Sequence, residues 1–215
     1  MSALLDRLSS YGVVPVVVAE TAQQGADIAR ALADGGLPVA EITFRTAAAA
    51  DAIRAGVDQG DVIVGAGTVI TPAQVDAAVA AGAQFIVSPG TSRAVIERAH
   101  EHDVTVLAGA VTATEIQSAL ELGVDLVKFF PAEASGGAAA LRALTAPFGQ
   151  VSFLPTGGIG PANISDYLNI PAVRAVGGSW MLPGDAVRAG DWAHVSRLAA
   201  DAVTLVAAVR ERTVR

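Results

Sequence analysis

Short runs rich in valine, isoleucine and phenylalanine recur along the chain at intervals of roughly 20 to 25 residues, separated by alanine-rich segments of a different period. The runs are Val13 to Val18, Val39 to Phe44, Val62 to Ala66, Gln84 to Ser88, Thr105 to Ala108, Leu126 to Phe129, Ser152 to Pro155 and Ala172 to Val176. Between them apolar residues fall at i, i+3 and i+4, as in Ile28, Ala31 and Leu32, in Val75, Ala78 and Val79, and in Ile116, Ala119 and Leu120. That spacing gives a helix one apolar face to pack on a sheet. Thr71-Pro72-Ala73-Gln74 and Thr112-Ala113-Thr114-Glu115 each read as a helix start, with threonine capping and Gln or Glu reaching back from three residues on. Pro72 fits the first helical position, where no amide hydrogen is needed. Gly82 and Gly123 predict left-handed helix stops.

Repeated strand–helix units predict a parallel sheet, and eight of them close most simply as a (β/α)8 TIM barrel. A doubly wound open sheet is the alternative that periodicity leaves standing. No linker, charge run or low-complexity tract breaks the rhythm, so residues 1–215 read as a single domain.

Composition adds three constraints. Hydrophobic residues make up 52% and charged residues 16%, against ~25% charged in an average soluble domain, so a large core or a buried subunit interface is expected. The net charge of −7 argues against nucleic acid or an anionic membrane as partner, because both recruit basic surfaces. The chain has no cysteine, which excludes a disulfide framework and a thiolate metal site. Met1 to Tyr11 includes Asp6 and Arg7 and lacks a signal-peptide core, and no uninterrupted apolar run reaches the ~18 residues of a membrane span. A cytoplasmic protein is expected.

Candidate chemistry begins at Lys128, the only lysine in the chain, set in Leu126-Val127-Lys128-Phe129-Phe130-Pro131. An ammonium among branched and aromatic side chains is costly, and lysine is the cation that burial most readily neutralises. A neutral amine is a nucleophile. The competing reading is an edge-strand gatekeeper or a snorkelling side chain. In Val39-Ala40-Glu41-Ile42-Thr43-Phe44-Arg45, strand alternation puts Glu41, Thr43 and Arg45 on one side and Ala40, Ile42 and Phe44 on the other. The apolar set belongs against helices, so the polar set faces the interior. A structural salt bridge would account for Glu41 alone. Glu41, Arg45 and Lys128 directed to one interior point instead to a functional cluster, since unpaired buried charges are expensive.

Pro155-Thr156-Gly157-Gly158-Ile159-Gly160-Pro161 follows the seventh run and Val176-Gly177-Gly178-Ser179 follows the eighth. In barrels these two loops, with a helix N-terminus, form the usual phosphate site, and paired glycines let amides converge on an anion. A tight turn explains either pair alone; both together predict phosphate. Gly65-Ala66-Gly67-Thr68 resembles part of a dinucleotide fingerprint but lacks the third glycine and an immediate helix, so nucleotide binding is not expected there. Ser88-Pro89-Gly90 shapes a pocket or a plain turn. His100, His102 and His194 do not fall at strand ends with a second ligand, so no metal is expected. Ser179 has no recognisable partner histidine or acid and is not read as a nucleophile.

Taken together, Glu41-Ile42-Thr43-Phe44-Arg45-Thr46, Gly65-Ala66-Gly67-Thr68-Val69, Ser88-Pro89-Gly90, Lys128-Phe129-Phe130-Pro131-Ala132-Glu133, Pro155-Thr156-Gly157-Gly158-Ile159 and Gly177-Gly178-Ser179-Trp180 carry a resemblance. Across nearly its whole length the chain resembles the class I 2-keto-3-deoxy-6-phosphogluconate aldolases, including those described as 4-hydroxy-2-oxoglutarate aldolases. The resemblance implies that Lys128 forms a Schiff base and that Glu41 is the general acid/base. It implies that Arg45, Thr68 and Pro89 surround the pyruvate carboxylate, that Phe130 lines the site, and that Gly157, Gly158, Gly178 and Ser179 hold phosphate. Thr156 matches the threonine that meets the C4 hydroxyl in the gluconate-type enzymes. The implied substrate is a small phosphorylated keto acid, with no cofactor or metal, in a homotrimeric (β/α)8 barrel. Three alternatives stand beside this: the galactonate-epimer aldolase, a non-catalytic barrel serving as an assembly module, and a pyridoxal-phosphate barrel, which would purify coloured.

Overall fold

The computed structural model describes residues 3–213. A helix, α1 (Ala3–Tyr11), precedes β1 (Val13–Val17), and strand and helix then alternate: α2 (Ala22–Asp34), β2 (Val39–Thr43), α3 (Ala49–Val57), β3 (Ile63–Gly67), α4 (Pro72–Ala80), β4 (Phe85–Val87), α5 (Arg93–Glu101), β5 (Thr105–Ala110) and α6 (Ala113–Glu121). The second half continues with β6 (Leu126–Phe129), a 3-10 turn at Glu133–Ser135, α7 (Gly137–Thr145), β7 (Ser152–Phe153), α8 (Ile164–Leu168), β8 (Val176–Gly178), α9 (Gly184–Ala189) and α10 (Trp192–Thr213).

The strands pair in parallel in the order β7-β6-β5-β4-β3-β2-β1-β8. The two ends of this sheet meet at a parallel bridge between Thr156 and Gly177, where Gly177 N donates to Pro155 O at 2.8 Å. The result is the (β/α)8 barrel. Strand eight beside strand one leaves no reversal of strand order, which sets aside the doubly wound alternative.

Local signals in the sequence are realised where they were expected. Thr71 and Thr112 head complete capping boxes with Gln74 and Glu115. Gly82 and Gly123 take φ of +92° and +78° and turn the chain from helix to strand. Ile28, Ala31, Leu32, Val75, Ala78, Ile116 and Ala119 are buried, with Val79 and Leu120 partly buried against the same core. Every residue of β2 and β3 is buried, as expected of strands covered on both faces.

Most strand limits agree with the hydrophobic runs within one or two residues; the eighth does not. Ala172 to Val176 was expected, but β8 starts at Val176, because register with β1 (Val13 with Val176, Val14 with Gly177, Pro15 with Gly178) selects the glycine-containing segment. Ladder hydrogen bonds outweigh the preference of the Ala-Val run. Gly177 and Gly178 therefore belong to the strand and not to the loop after it. A Cβ on Gly177 would run into the side chain of Thr156, and one on Gly178 into the ring of Trp180.

The closing helix α10 is, by length and composition, apolar enough to cross a membrane, with a mean hydropathy of 1.2. Its arrangement accounts for that differently. Val195, Ala199, Ala202, Val206 and Val209 are buried at helical spacing, while Arg197, Ala200, Asp201, Thr204 and Ala207 are exposed. Ser196 Oγ donates to Ala31 O of α2 at 2.8 Å, and Arg210 Nη1 donates to Ser10 O at 2.6 Å near the end of α1, where carbonyls lack helical partners. The stripe of small and branched residues thus docks α10 on the barrel wall.

Candidate active site

Strand alternation brings Glu41 of β2 and Lys128 of β6 into the barrel interior, although 87 residues separate them in sequence. Lys128 Nζ donates to Glu41 Oε1 at 3.0 Å, with both side chains almost fully buried. Such a pair survives desolvation only with tight geometry and further partners. Here one lone-pair set is left over: Glu41 Oε2 is buried without a hydrogen bond, and so is Thr156 Oγ1. Both residues line the same cavity of about 310 Å³. Buried acceptors are nearly always satisfied, so two unsatisfied oxygens on one cavity mark where a polar ligand belongs. The Phe130 ring lies 5.2 Å from Nζ, within cation–π reach.

The cavity wall is formed by Val16, Glu41, Arg45, Thr68, Pro89, Lys128, Phe130, Thr156, Gly157, Gly178 and Ser179. Apart from Glu41, in the middle of β2, these lie near or just past the carboxyl ends of the strands, the face where barrel chemistry occurs. Arg45 extends beyond β2, with Nε donating to Thr43 Oγ1 at 3.0 Å, while Thr43 Oγ1 donates to Val17 O at 2.8 Å. Thr68, immediately after β3, has φ of 57°. A β-branched residue in this left-handed region holds roughly 1–3 kcal/mol of strain, maintained only where surroundings fix it. Here Phe44 N donates to Gly67 O at 2.8 Å and Val69 N to Val87 O at 3.1 Å, pinning the chain on both sides.

In the loop after β7 three successive carbonyls are taken by donors of the protein itself. Thr156 O accepts from Ala132 N at 2.8 Å, Gly157 O from Glu133 N at 3.1 Å and Gly158 O from Asn163 Nδ2 at 3.1 Å. Gly157 and Gly158 have φ of +106° and +78°, open to glycine at little cost. Behind this loop Glu133 accepts from the Tyr167 hydroxyl, and burial followed by that carboxylate pushes the Tyr167 phenol well above its ordinary pKa. The expected helix N-terminus is not at the glycines themselves, since α8 starts at Ile164 and α9 at Gly184.

Of the residues to which the resemblance gives a role in the site, Gly158 alone is off the cavity wall; a Cβ there would point at the Glu133 side chain, 2.7 Å from its Cγ. Val16 is on the wall without having been expected. Two further glycines shape the site. A Cβ on Gly67 would land on Oε1 of Glu41 and come within 2.7 Å of its Cγ, and one on Gly109 would overlap the Pro89 carbonyl. Glycine inside a strand often marks close approach of another group, and that signal was present in Gly65-Ala66-Gly67. The histidines stand apart: His102 Nε2 lies 2.7 Å from Asp76 Oδ1, and His194 Nδ1 lies 3.3 Å from Arg197 Nη2. Among the described residues no cluster of three or more His, Cys, Asp or Glu is arranged to hold a metal ion. A larger hollow, about 440 Å³ and lined in part by Leu5, His100, Asp103 and Asp125, lies against the amino ends of β5 and β6, away from the chemistry.

The class that fold and site define is a (β/α)8 barrel with a buried lysine–carboxylate pair on a cavity at the carboxyl mouth of its strands. Known proteins narrow that class. Residues 5–198 match the family described as KDPG and KHG aldolase, and the chain belongs to this family. It is 45% identical to the KHG/KDPG aldolase of Escherichia coli K12 over 91% of this chain and 92% of that one. It is 44% identical to the 2-dehydro-3-deoxy-phosphogluconate aldolase of Treponema pallidum, over 96% and 99% of the two chains. Among solved structures it superposes on the KDPG aldolase from Legionella pneumophila, captured with pyruvate as a covalent carbinolamine, with a TM-score of 0.88 and 36% identity over 92% of this chain and 97% of that one.

Proposed function

We propose that the protein is a class I aldolase that cleaves 2-keto-3-deoxy-6-phosphogluconate to pyruvate and glyceraldehyde 3-phosphate through a Schiff base on Lys128, and that it also accepts the smaller 4-hydroxy-2-oxoglutarate. The observation that carries this reading is the buried Lys128–Glu41 contact beside the unsatisfied Glu41 Oε2 and Thr156 Oγ1. Glu41 takes a proton from the Lys128 ammonium along the 3.0 Å bond, and the freed amine adds to the C2 ketone. Glu41 hands that proton on to the carbinolamine hydroxyl, which leaves as water, so that an iminium remains and Glu41 is a carboxylate again. The iminium draws the C3–C4 bonding electrons into an enamine as the C4 hydroxyl proton passes to Glu41, and the aldehyde leaves. Protonation of the enamine at C3 and addition of water to the iminium then release pyruvate and restore the amine. The iminium is the electron sink that a divalent metal provides in class II aldolases, so no metal or cofactor is assigned.

Arg45, Thr68 and Pro89 are assigned to the carboxylate end, Phe130 to the wall beside the imine, and Gly157, Gly158, Gly178 and Ser179 to phosphate. Gly158 serves that end from the second row, by letting the loop turn. Thr156 is assigned to the C4 hydroxyl, which favours the gluconate substrate over its galactonate epimer. An assembly-only barrel would gain nothing from a desolvated ion pair around a cavity, and the metal-free amine chemistry requires no coloured cofactor. The chain acts as one domain. Its low charged fraction of 16% supports burial of surface in a homotrimer. Phosphorylated sugar acids do not cross membranes unaided, so the site of action is the cytoplasm.

The test is reductive trapping. Pyruvate with borohydride should add one pyruvate-derived group per chain at Lys128, which peptide mapping distinguishes from the N-terminal amine because there is no other lysine. Prolonged chelation should leave cleavage unaffected. Undiminished labelling of Lys128→Ala, or a chelated rate restored by a divalent metal, would overturn the assignment.

A further inference from the structure

We infer that Thr43 is a positioning residue for the substrate carboxylate, acting through Arg45; the inference rests on the reading of Arg45 as the carboxylate's partner. Arg45 stands past the end of β2 and is exposed, and among the described residues its guanidinium makes no ion pair. A solvated arginine samples many rotamers, and each must be given up when it grips a ligand. Thr43 removes that freedom beforehand. Thr43 is only 1% exposed, and its hydroxyl donates to Val17 O at 2.8 Å and accepts from Arg45 Nε at 3.0 Å. The guanidinium is therefore tied through one buried oxygen to the backbone of β1, a strand paired on both sides by β2 and β8.

The geometry also selects how the carboxylate is held. An arginine can offer a carboxylate either the side fork that includes Nε or the end fork of Nη1 and Nη2. Nε is committed to Thr43, so the end fork is the one presented to the cavity that Arg45 lines. Strand alternation places Glu41, Thr43 and Arg45 on one side of β2 as proton carrier, anchor and clamp. The side-chain bond from Arg45 to Thr43, two residues back, is what links the last of these to the sheet.

The experiment compares trapping by borohydride with pyruvate and with methyl pyruvate, a ketone of the same shape without the negative charge. In Thr43→Val the half-saturating pyruvate concentration should rise about tenfold, the effect of loosening one charge-assisted contact, with methyl pyruvate shifted less than about twofold. Thr43→Ser keeps the hydroxyl and should restore the pyruvate value. In an Arg45→Met background, Thr43→Val should add no further loss, because the anchor then has nothing to hold. Thr43→Ala carries the same comparison if Thr43→Val does not fold. Equal loss with both ketones, or an undiminished loss in the Arg45→Met background, would show a purely structural threonine. Wild-type protein that does not distinguish the two ketones would instead remove Arg45 from the carboxylate, and wild-type protein that traps neither would remove the Schiff-base reading itself.

Discussion

Gly67 leaves the space that the Glu41 carboxylate fills: a Cβ on Gly67 would clash with Glu41 Oε1, the oxygen that accepts the hydrogen bond from Lys128. The bare strand at Gly67, paired with Thr43 of β2, is what lets the carboxylate reach the amine. Gly67→Ala should therefore displace Glu41 while leaving backbone geometry allowed. Overpacking of this kind costs ~1–3 kcal/mol, and if it falls on the proposed proton transfer between Lys128 and Glu41, kcat should drop by roughly fivefold to a little over a hundredfold. Steady-state kinetics and thermal unfolding check this, and an unchanged kcat would mean that the carboxylate has room to spare.

Glu41→Gln should separate the two halves of the reaction. Amine addition to a ketone depends less on a proton acceptor than carbon–carbon cleavage does. Turnover should fall by about 10² to 10⁴, the usual contribution of a placed acid/base, while pyruvate is still trapped on Lys128. Exchange of the pyruvate methyl protons with deuterated solvent should slow as well, since it runs through the enamine. Wild-type exchange in this variant would take the proton-carrier role away from Glu41.

Thr156→Val tests an oxygen that the protein itself leaves unsatisfied. An unpaired buried hydroxyl costs about 1–3 kcal/mol, so replacing it with a methyl of the same shape should leave stability unchanged or raise it. Activity should move the other way. Catalytic efficiency on the phosphogluconate substrate is expected to fall by about tenfold to a hundredfold, and preference over the galactonate epimer should shrink. Pyruvate trapping, which does not involve the C4 hydroxyl, should be unaffected. A variant that loses stability without losing epimer preference would make Thr156 a packing residue.

On the outer surface, Asp76 of α4 accepts from Arg98 Nε of α5 at 2.6 Å and lies 2.7 Å from His102 Nε2. The Arg98 hydrogen bond, then that of His102, holds its carboxyl below the ordinary range. A carboxylate whose folded pKa is depressed contributes stability above its unfolded value, ~3.9, and loses that contribution as pH falls through the folded value. Melting temperature followed from pH 6 down to pH 2 should fall less steeply in Asp76→Asn than in the wild type. Parallel curves would leave this surface cluster without a part in acid stability.

How much of this was legible before the fold is clearest from particular residues. The sequence by itself determined the eight-unit rhythm, the threonine caps at Thr71 and Thr112, the interior facing of Glu41 and the singularity of Lys128, because these depend on local periods, local hydrogen bonding and the cost of burying one charge. Even the two glycine pairs could be assigned to the ends of strands seven and eight. Tertiary structure decided everything that depends on contact between distant segments. Only pairing with β1 fixed the start of β8 and moved Gly177 and Gly178 into the strand. Only the curvature that brings distant strands together revealed that Gly67 makes room for Glu41, that Thr43 ties Arg45 to β1, and that Gly158 packs against the Glu133 side chain and not on the cavity wall. Periodicity tells a side chain which way to face; what it meets there is set by the closure of the barrel, since the groups that meet lie dozens of residues apart and no local interaction encodes their distance.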